Sequence, residues 1–322
     1  MDSESGRRLT APANVVINAT GIFTDEVRQL SDPQASSMIE PSQGIHLVFE
    51  RSFLQGDAAI MVPHTSDGRV LFAIPWHGHT VVGTTDTPIE QASYDPLPME
   101  EEIDFILETA ERYLSRPPRR EDILSVYVGI RPLVKAAGSD SGKTAELSRD
   151  HTIHVDNSGL LTIAGGKWTT YRHMAEDCVD HAITLGRLDE KPCVTRNLHI
   201  HGYREEIDDL SPLWVYGSDA EAVQALAAGD ASLAAQLDSS LPYIAAEVVW
   251  AAREEMARTV DDVISRRTRA LFLNARAAQR MIEPVAKLLA RELGRDDAWV
   301  RSQIESASAL AAKYIVSVNS KS

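Results

Sequence analysis

A chain of 322 residues with 43% apolar and 25% charged residues is ordinary globular material, long enough for about two domains. Its formal net charge of −15 excludes a general nucleic-acid binder, because contacts to a phosphate backbone need a basic surface. No run of about 18 uncharged apolar residues is present, so no helix of the sequence is written to span a bilayer.

The acidity is uneven: residues 193–322 carry a net −3 and the residues before them −12. An anionic ligand bound in the first part must therefore be held by a few placed cations. Cys178 and Cys193 are the only cysteines, and they fit neither a disulfide framework nor a zinc site.

In chain order, NVVINATG is a continuous apolar run ending at Gly21, as a buried parallel strand would. GIHLVFE, AAIMVP, RVLFAIPW and HTVVGTTD are short β-branched runs split by turn residues, which predicts antiparallel hairpins. MEEEIDFILETAERYLS is an amphipathic helix with Ile103, Ile106, Leu107, Ala110 and Leu114 on one face, stopped by Pro117-Pro118. ILSVYVGIRPLV returns to strand. HTIHVD and LLTIAG pair around NSG, and a helix starts near Thr169. After about residue 192 strand patterns give way to alanine-rich helices, among them PYIAAEVVWAAREEMA, VDDVISRR and NARAAQRMIEPVAKLLAREL. The expected division is 1–192, a sheet-rich domain, and 193–322, an all-helical one.

Several motifs have bland readings that fit better. AGSDSGKTAE at 137–146 resembles a phosphate loop, but Ala137 stands where that motif needs its first glycine. An i, i+2 pair such as His77/His79 or His199/His201 puts two rings on one strand face, and His151/His154 is a third pair, yet each lacks an obvious third metal ligand. No two glycines stand two apart anywhere, so a G-x-G-x-x-G dinucleotide fingerprint is missing.

Two strand-end turns carry more. Gly165-Gly166 followed by Lys167, Trp168 and Thr169 sits between a strand and a helix. Glycines there let the backbone approach a flat or phosphorylated ligand, the helix start offers N–H groups, and Lys167 adds a full positive charge. Thr20 and Gly21, with Thr24 beyond, repeat that logic after the first strand. His46, after a glycine turn at a strand start, has the titration range for taking a proton from an alcohol. Arg131 lies among apolar residues, and a buried arginine needs an anion, whether a protein carboxylate or a ligand. Arg149 in ELSRDH is a second arginine, and two arginines with a lysine would hold a phosphate dianion.

Taken in order, VVINATGIFTD, PSQGIHLVF, WHGHTVVGTTDTP, YVGIRPLV, SRDH, AGGKWTTYRHMAED and DVISRRTR resemble the FAD-dependent glycerol-3-phosphate dehydrogenases, closest to the quinone-reducing type of mitochondria and bacteria. The resemblance runs from about residue 14 to about 315. It implies an α/β (α+β) fold: part of an FAD-binding Rossmann-like domain interleaved with an antiparallel substrate-domain sheet, then an all-helical C-terminal domain.

The activity implied is oxidation of sn-glycerol 3-phosphate to dihydroxyacetone phosphate with electrons passed to a quinone; an oxidase using oxygen and a non-catalytic fragment are the alternatives. By motif, His46 resembles the base. Arg131, Arg149 and Lys167 resemble the cations around substrate, and Thr20, Gly21 and Gly165 to Thr169 resemble positions lining FAD. Peripheral membrane association, at the cytoplasmic face of a bacterial membrane or the mitochondrial inner membrane, and a possible homodimer follow from the same likeness. The segment with the dinucleotide fingerprint is not in the sequence, so the expectation is a C-terminal portion that binds FAD poorly alone and leaves a raw sheet edge.

Overall fold

The computed structural model describes residues 6–63, 65, 70–135, 150–206 and 211–317. The chain falls into two compact units, each drawn from several stretches: residues 1–43, 86–96 and 130–198 form one, and residues 44–85, 97–129 and 199–322 the other.

The first unit holds a three-stranded sheet in the order β1-β9-β8. Strand β1 (Ile17–Asn18) runs parallel to β9 (Leu161–Gly165), with Ile17 opposite Leu161 and Asn18 opposite Thr162. β9 pairs antiparallel with β8 (His151–Val155), the hairpin expected around NSG. Helix α1 (Thr24–Ser31) follows β1, and α3 (Tyr171–Gly186) follows β9. Leu161 and Ile163 of β9 bury against Cys178 and Ala182 of α3, so the apolar face of that helix is what holds it on the sheet. β1 is one edge of this sheet among the described residues, and Ile17 on it and Val16 just before it are exposed rather than buried as the apolar run implied.

Two connections pin this unit. Arg28 of α1 and Asp156 of the hairpin turn are both buried, 5% and 7% exposed. Arg28 Nε and Nη2 donate to the two Asp156 oxygens at 3.2 and 2.8 Å, and Nη1 donates to Ser36 O at 2.7 Å. The Asp25 carboxylate accepts from the Ser37 hydroxyl and the Met38 and Ile39 N–H groups (2.7, 3.0 and 3.1 Å), which fixes where the next strand begins.

The second unit is built on an antiparallel sheet in the order β3-β4-β5-β2. Its strands are β3 (Ile60–Val62), β4 (Leu71–Trp76), β5 (His79–Gly83) and the later residues of β2 (Ile39–Glu50). The first residues of β2 belong to the first unit, where Ser42 and Gln43 pair with β6 (Thr87–Pro88). β7 (Ser125–Val134) also pairs with β2. Helix α2 (Glu100–Ala110) lays Ile103, Ile106 and Ala110 on Leu47, Phe49 and Val82 of the sheet, with Leu107 and Leu114 at the margin, which is the face read from the spacing. The α-helix ends earlier than the two prolines, at Ala110; tight turns carry the chain on, with the Tyr113 and Leu114 N–H groups both donating to Ala110 O.

From Trp214 on, the described residues of this unit are mostly helical: α4 (Ala220–Gly229), α5 (Ala245–Arg253), α6 (Ala270–Leu273), α7 (Ala275–Leu293) and α8 (Asp297–Ala312). They share a core around Val248, Val263, Ile264, Met281 and Leu289. VDDVISRR, expected as ordinary helix, is wound as a π segment over Asp262–Arg267. These helices bond directly to β7 and its approach: the Ser125 hydroxyl donates to Leu271 O (2.8 Å), Val126 N–H to Tyr314 O (3.0 Å) and Arg276 Nη1 to Ile123 O (2.9 Å). Among the described residues no helix is long and apolar enough to cross a membrane.

Candidate active site

In the first unit, parallel pairing brings the carboxyl ends of β1 and β9 side by side, so the two glycine turns predicted from sequence meet at one end of the sheet. Asn18 is the residue that ties them. Its buried amide donates to Thr24 O (3.0 Å) and towards Thr162 Oγ1 (3.4 Å), while its oxygen accepts from the Thr20 hydroxyl (2.7 Å) and N–H (3.3 Å). Thr20 is exposed and its hydroxyl serves the turn, and Gly21 takes φ +60°. The signal for this role in the sequence is a polar residue inside an otherwise apolar strand.

Gly165 and Gly166 both have left-handed backbone, φ +75° and +73°. A Cβ at Gly165 would lie 2.9 Å from Asp150 O and 3.1 Å from Val134 Cγ2; at Gly166 it would meet Met174 Cε at 2.7 Å. Gly165 thus meets fixed backbone, while a side chain at Gly166 would have to displace the Met174 thioether. Beyond them Trp168–Thr170 forms a 3-10 turn leading into α3. Lys167 N–H donates to Thr170 Oγ1, whose hydroxyl donates back to Lys167 O. Lys167, Trp168 and Thr169 are exposed, and among the described residues no carboxylate lies within ion-pair distance of Lys167. Trp168, 86% exposed, stacks on Tyr171 at 5.5 Å.

Arg131 belongs to the first unit, on the part of β7 that ends beside Gly165 through Val134. It is not the buried arginine its apolar neighbours implied. Its side chain is 36% exposed and pairs at 3.2 Å with Asp86, a protein carboxylate that also accepts from the Ser42 hydroxyl. Arg149 and the phosphate-loop-like stretch lie outside the described residues.

His46 belongs to the second unit, on β2 opposite Gly83 of β5. Its ring stacks on Tyr127 (5.1 Å between centroids, 12° between planes). Tyr127 meets the edge of Phe272, and Phe272 meets Tyr314, so the helical residues buttress the imidazole. Burial pushes the Tyr127 hydroxyl up to about 12, which keeps it protonated at neutral pH. Nearby, Thr85 Oγ1 accepts from Ile45 N–H (3.0 Å) and donates to the buried Glu102 (2.7 Å), locking the strand that carries His46.

The histidine pairs have protein partners. His79 Nδ1 bonds His77 O, His151 bonds Asp177 at 2.8 Å, His154 bonds Asp156, His201 bonds Asp219, and His199 stacks on Tyr203.

Residues 2–172 match the family of FAD dependent oxidoreductases, and residues 161–300 match the C-terminal domain of alpha-glycerophosphate oxidase. The human mitochondrial glycerol-3-phosphate dehydrogenase is 40% identical over 328 residues, covering 95% of this chain and 45% of that protein. The Arabidopsis thaliana mitochondrial glycerol-3-phosphate dehydrogenase SDP6 is 37% identical, covering 98% and 55%. The chain thus spans about half the length of the curated relatives it matches. The X-ray structure of the Bacillus halodurans glycerol-3-phosphate dehydrogenase complexed with FAD aligns over 96% of this chain and 64% of its own, at 27% identity with a TM-score of 0.79. With a polar-tied pair of glycine turns at a parallel strand end and a family match over more than half its length, the chain belongs to the FAD-dependent oxidoreductases.

Proposed function

We propose that this chain is part of a glycerol-3-phosphate dehydrogenase that oxidises sn-glycerol 3-phosphate to dihydroxyacetone phosphate and passes two electrons to a quinone. The observation that carries this reading is 40% identity, across 95% of the chain, to an enzyme of that name. Residues 1–192 form the oxidoreductase portion and 193–322 the helical domain.

The residues present fit the ring end of FAD. Side-chain-free, left-handed backbone at Gly165-Gly166, open space around Gly21 and the exposed Lys167 at a helix start suit a flat, electron-accepting group. Thr20, Gly21 and Gly165 to Thr169 would hold it. When bound, FAD accepts the hydride released from C2 of the substrate.

His46 takes the proton of the C2 hydroxyl, so that loss of proton and hydride leaves the ketone. Stacking on Tyr127 fixes the plane of its ring. Arg131 and Lys167, with Arg149, hold the phosphate and the C2 oxygen. Arg131 stays half-exposed beside Asp86, and a guanidinium has five N–H donors, enough for a protein carboxylate and a phosphate together. Association with a membrane surface, mitochondrial in a eukaryote, and a homodimer complete the proposal.

An oxidase passing electrons to oxygen is the second reading, favoured by the match of residues 161–300 to a glycerophosphate oxidase domain. The test is reduction of a soluble quinone by the FAD-loaded protein, with and without oxygen. Turnover with glycerol 3-phosphate but not glycerol, undiminished without oxygen, is expected. Peroxide formation in place of quinone reduction selects the oxidase, and no turnover with either acceptor refutes both.

A further inference from the structure

The second unit contains a cavity of about 550 Å³ that shares no residue with the candidate active site. Its walls are the His77-Gly78 turn between β4 and β5, the His201-Gly202 loop, the 3-10 segment Trp214–Asp219, and the stretch from the π segment to Arg269. That volume is in the range of small-molecule sites.

Three features set this cavity apart. Backbone strain is concentrated on it. Of the four non-glycine residues with left-handed backbone among the described residues, three line it: His77 (φ 46°), Met256 (φ 59°) and Arg269 (φ 58°). Such conformations cost on the order of 1–3 kcal/mol each and persist where surrounding structure enforces them. The π segment, a rare form of helix often found at functional sites, supplies Arg266 and Arg267.

The second feature is charge. Arg266 is neutralised by Asp261 (2.6 Å) and Asp262 (3.2 Å), Arg267 lies against Glu255, and His201 bonds Asp219. Arg269 differs. Its guanidinium donates to His77 Nε2 at 3.3 Å, and among the described residues no carboxylate lies within ion-pair distance of it. His77 is held below the usual imidazole range, first by burial and then by Arg269, so the partner of this cation is a neutral ring.

The third is the apolar rim. Trp214 stacks on His77 (5.5 Å, 20°) and remains 39% exposed, with Val215 44% and Met256 76% exposed beside the opening. A flat apolar surface adjoins a cation that has no carboxylate within ion-pair distance among the described residues.

We propose that this cavity binds a small organic anion with a planar body, its acid group on Arg269 and its ring against Trp214. The walls come from stretches far apart in the chain, so the site exists only in the folded protein. It is independent of the reading of the active site.

Benzoate is the probe, with benzyl alcohol as its neutral counterpart, followed by Trp fluorescence and by calorimetry on the whole chain. Millimolar binding of benzoate is expected, as a ligand of about nine heavy atoms allows. Arg269→Gln is expected to weaken it by about tenfold or more, and Trp214→Ala by several-fold. Arg131→Gln, and saturating glycerol 3-phosphate, should leave benzoate binding unchanged. Circular dichroism melts show that each variant is folded; Arg269→Lys, which keeps charge without the fork, covers the case where Arg269→Gln does not fold and should bind more weakly than the parent. Absence of benzoate binding overturns the proposal. So does equal binding by benzyl alcohol, equal binding in the Arg269 variants, or loss of binding in Arg131→Gln.

Discussion

His46 lies in the space that a side chain at Gly83 would fill. The two residues face each other across β2 and β5, and a Cβ at Gly83 would sit 2.8 Å from His46 Cγ and 2.9 Å from Ile45 O. The imidazole is thus clamped between a bare strand and the ring of Tyr127. Gly83→Ala should destabilise by about 1–3 kcal/mol, the usual result of overpacking. It should also push His46 out of its stack. Urea melts and the ring-proton shifts of His46 check both, and unchanged shifts would refute the clamp. In the FAD-loaded protein, turnover should fall with Gly83→Ala, while Tyr127→Phe, which keeps the stacked ring, should retain most of it.

The glycine pair at the end of β9 allows a graded test. An alanine at Gly165 must adopt φ +75° and also enters the backbone oxygen of Asp150, which cannot swing away. At Gly166 the obstruction is the flexible thioether of Met174, and at Gly21 nothing lies within 4 Å. Loss of stability should therefore rank Gly165→Ala above Gly166→Ala above Gly21→Ala, with the last near the roughly 1 kcal/mol of a left-handed alanine. Denaturant midpoints read the order, and a reversed order would mean the turn relaxes.

Much of this was legible locally. The β8/β9 hairpin and the buried face of α2 follow from apolar runs, turn residues and helical spacing within a few residues of each other; that β1 pairs with β9, 144 residues further on, does not. What was not legible is what joins distant positions. Arg28 and Asp156 are 128 residues apart, and Ser125 and Leu271 are 146 apart. No pattern in the chain marks either. The same limit applies to His46: its motif is visible, but its support by Tyr127, Phe272 and Tyr314 is assembled only by folding. Arg131 was misjudged as buried because apolar neighbours in a strand do not tell how open the strand is. VDDVISRR reads as helix because the π and α windings share their residue preferences.

The Arg28–Asp156 pair has a pH signature. The bonds from the Arg28 guanidinium hold the Asp156 carboxyl below its ordinary range. A depressed carboxyl stabilises fully above the unfolded value, near 3.9, and loses that contribution as pH falls through the depressed folded value. Asp156→Asn leaves a buried guanidinium short of its main partner and should cost about 3 kcal/mol at neutral pH. The gap between parent and variant should close as pH approaches 2. Urea unfolding over an acid pH series measures it, and a gap of constant size would show that shape rather than charge is responsible.

Glu247 should act in the opposite direction. It is 2% exposed at the start of α5, and its oxygens accept from the Tyr216 hydroxyl (3.1 Å) and Ile244 N–H (2.7 Å). Burial outweighs those bonds and pushes the carboxyl up to about 7. The Tyr216 hydroxyl is raised as well, by burial and then by Glu247. A folded carboxyl that keeps its proton to higher pH than the unfolded one stabilises fully below about pH 4.5, and that contribution is lost as pH rises to about 7. The loss is on the order of 3 kcal/mol, from the size of the shift. Glu247→Gln has no proton to lose. Its stability should match the parent near pH 4 and exceed it near pH 8, because the parent alone must then bury an anion. A variant that tracks the parent across that range would mean that water or local opening solvates Glu247 and that its burial carries no electrostatic cost.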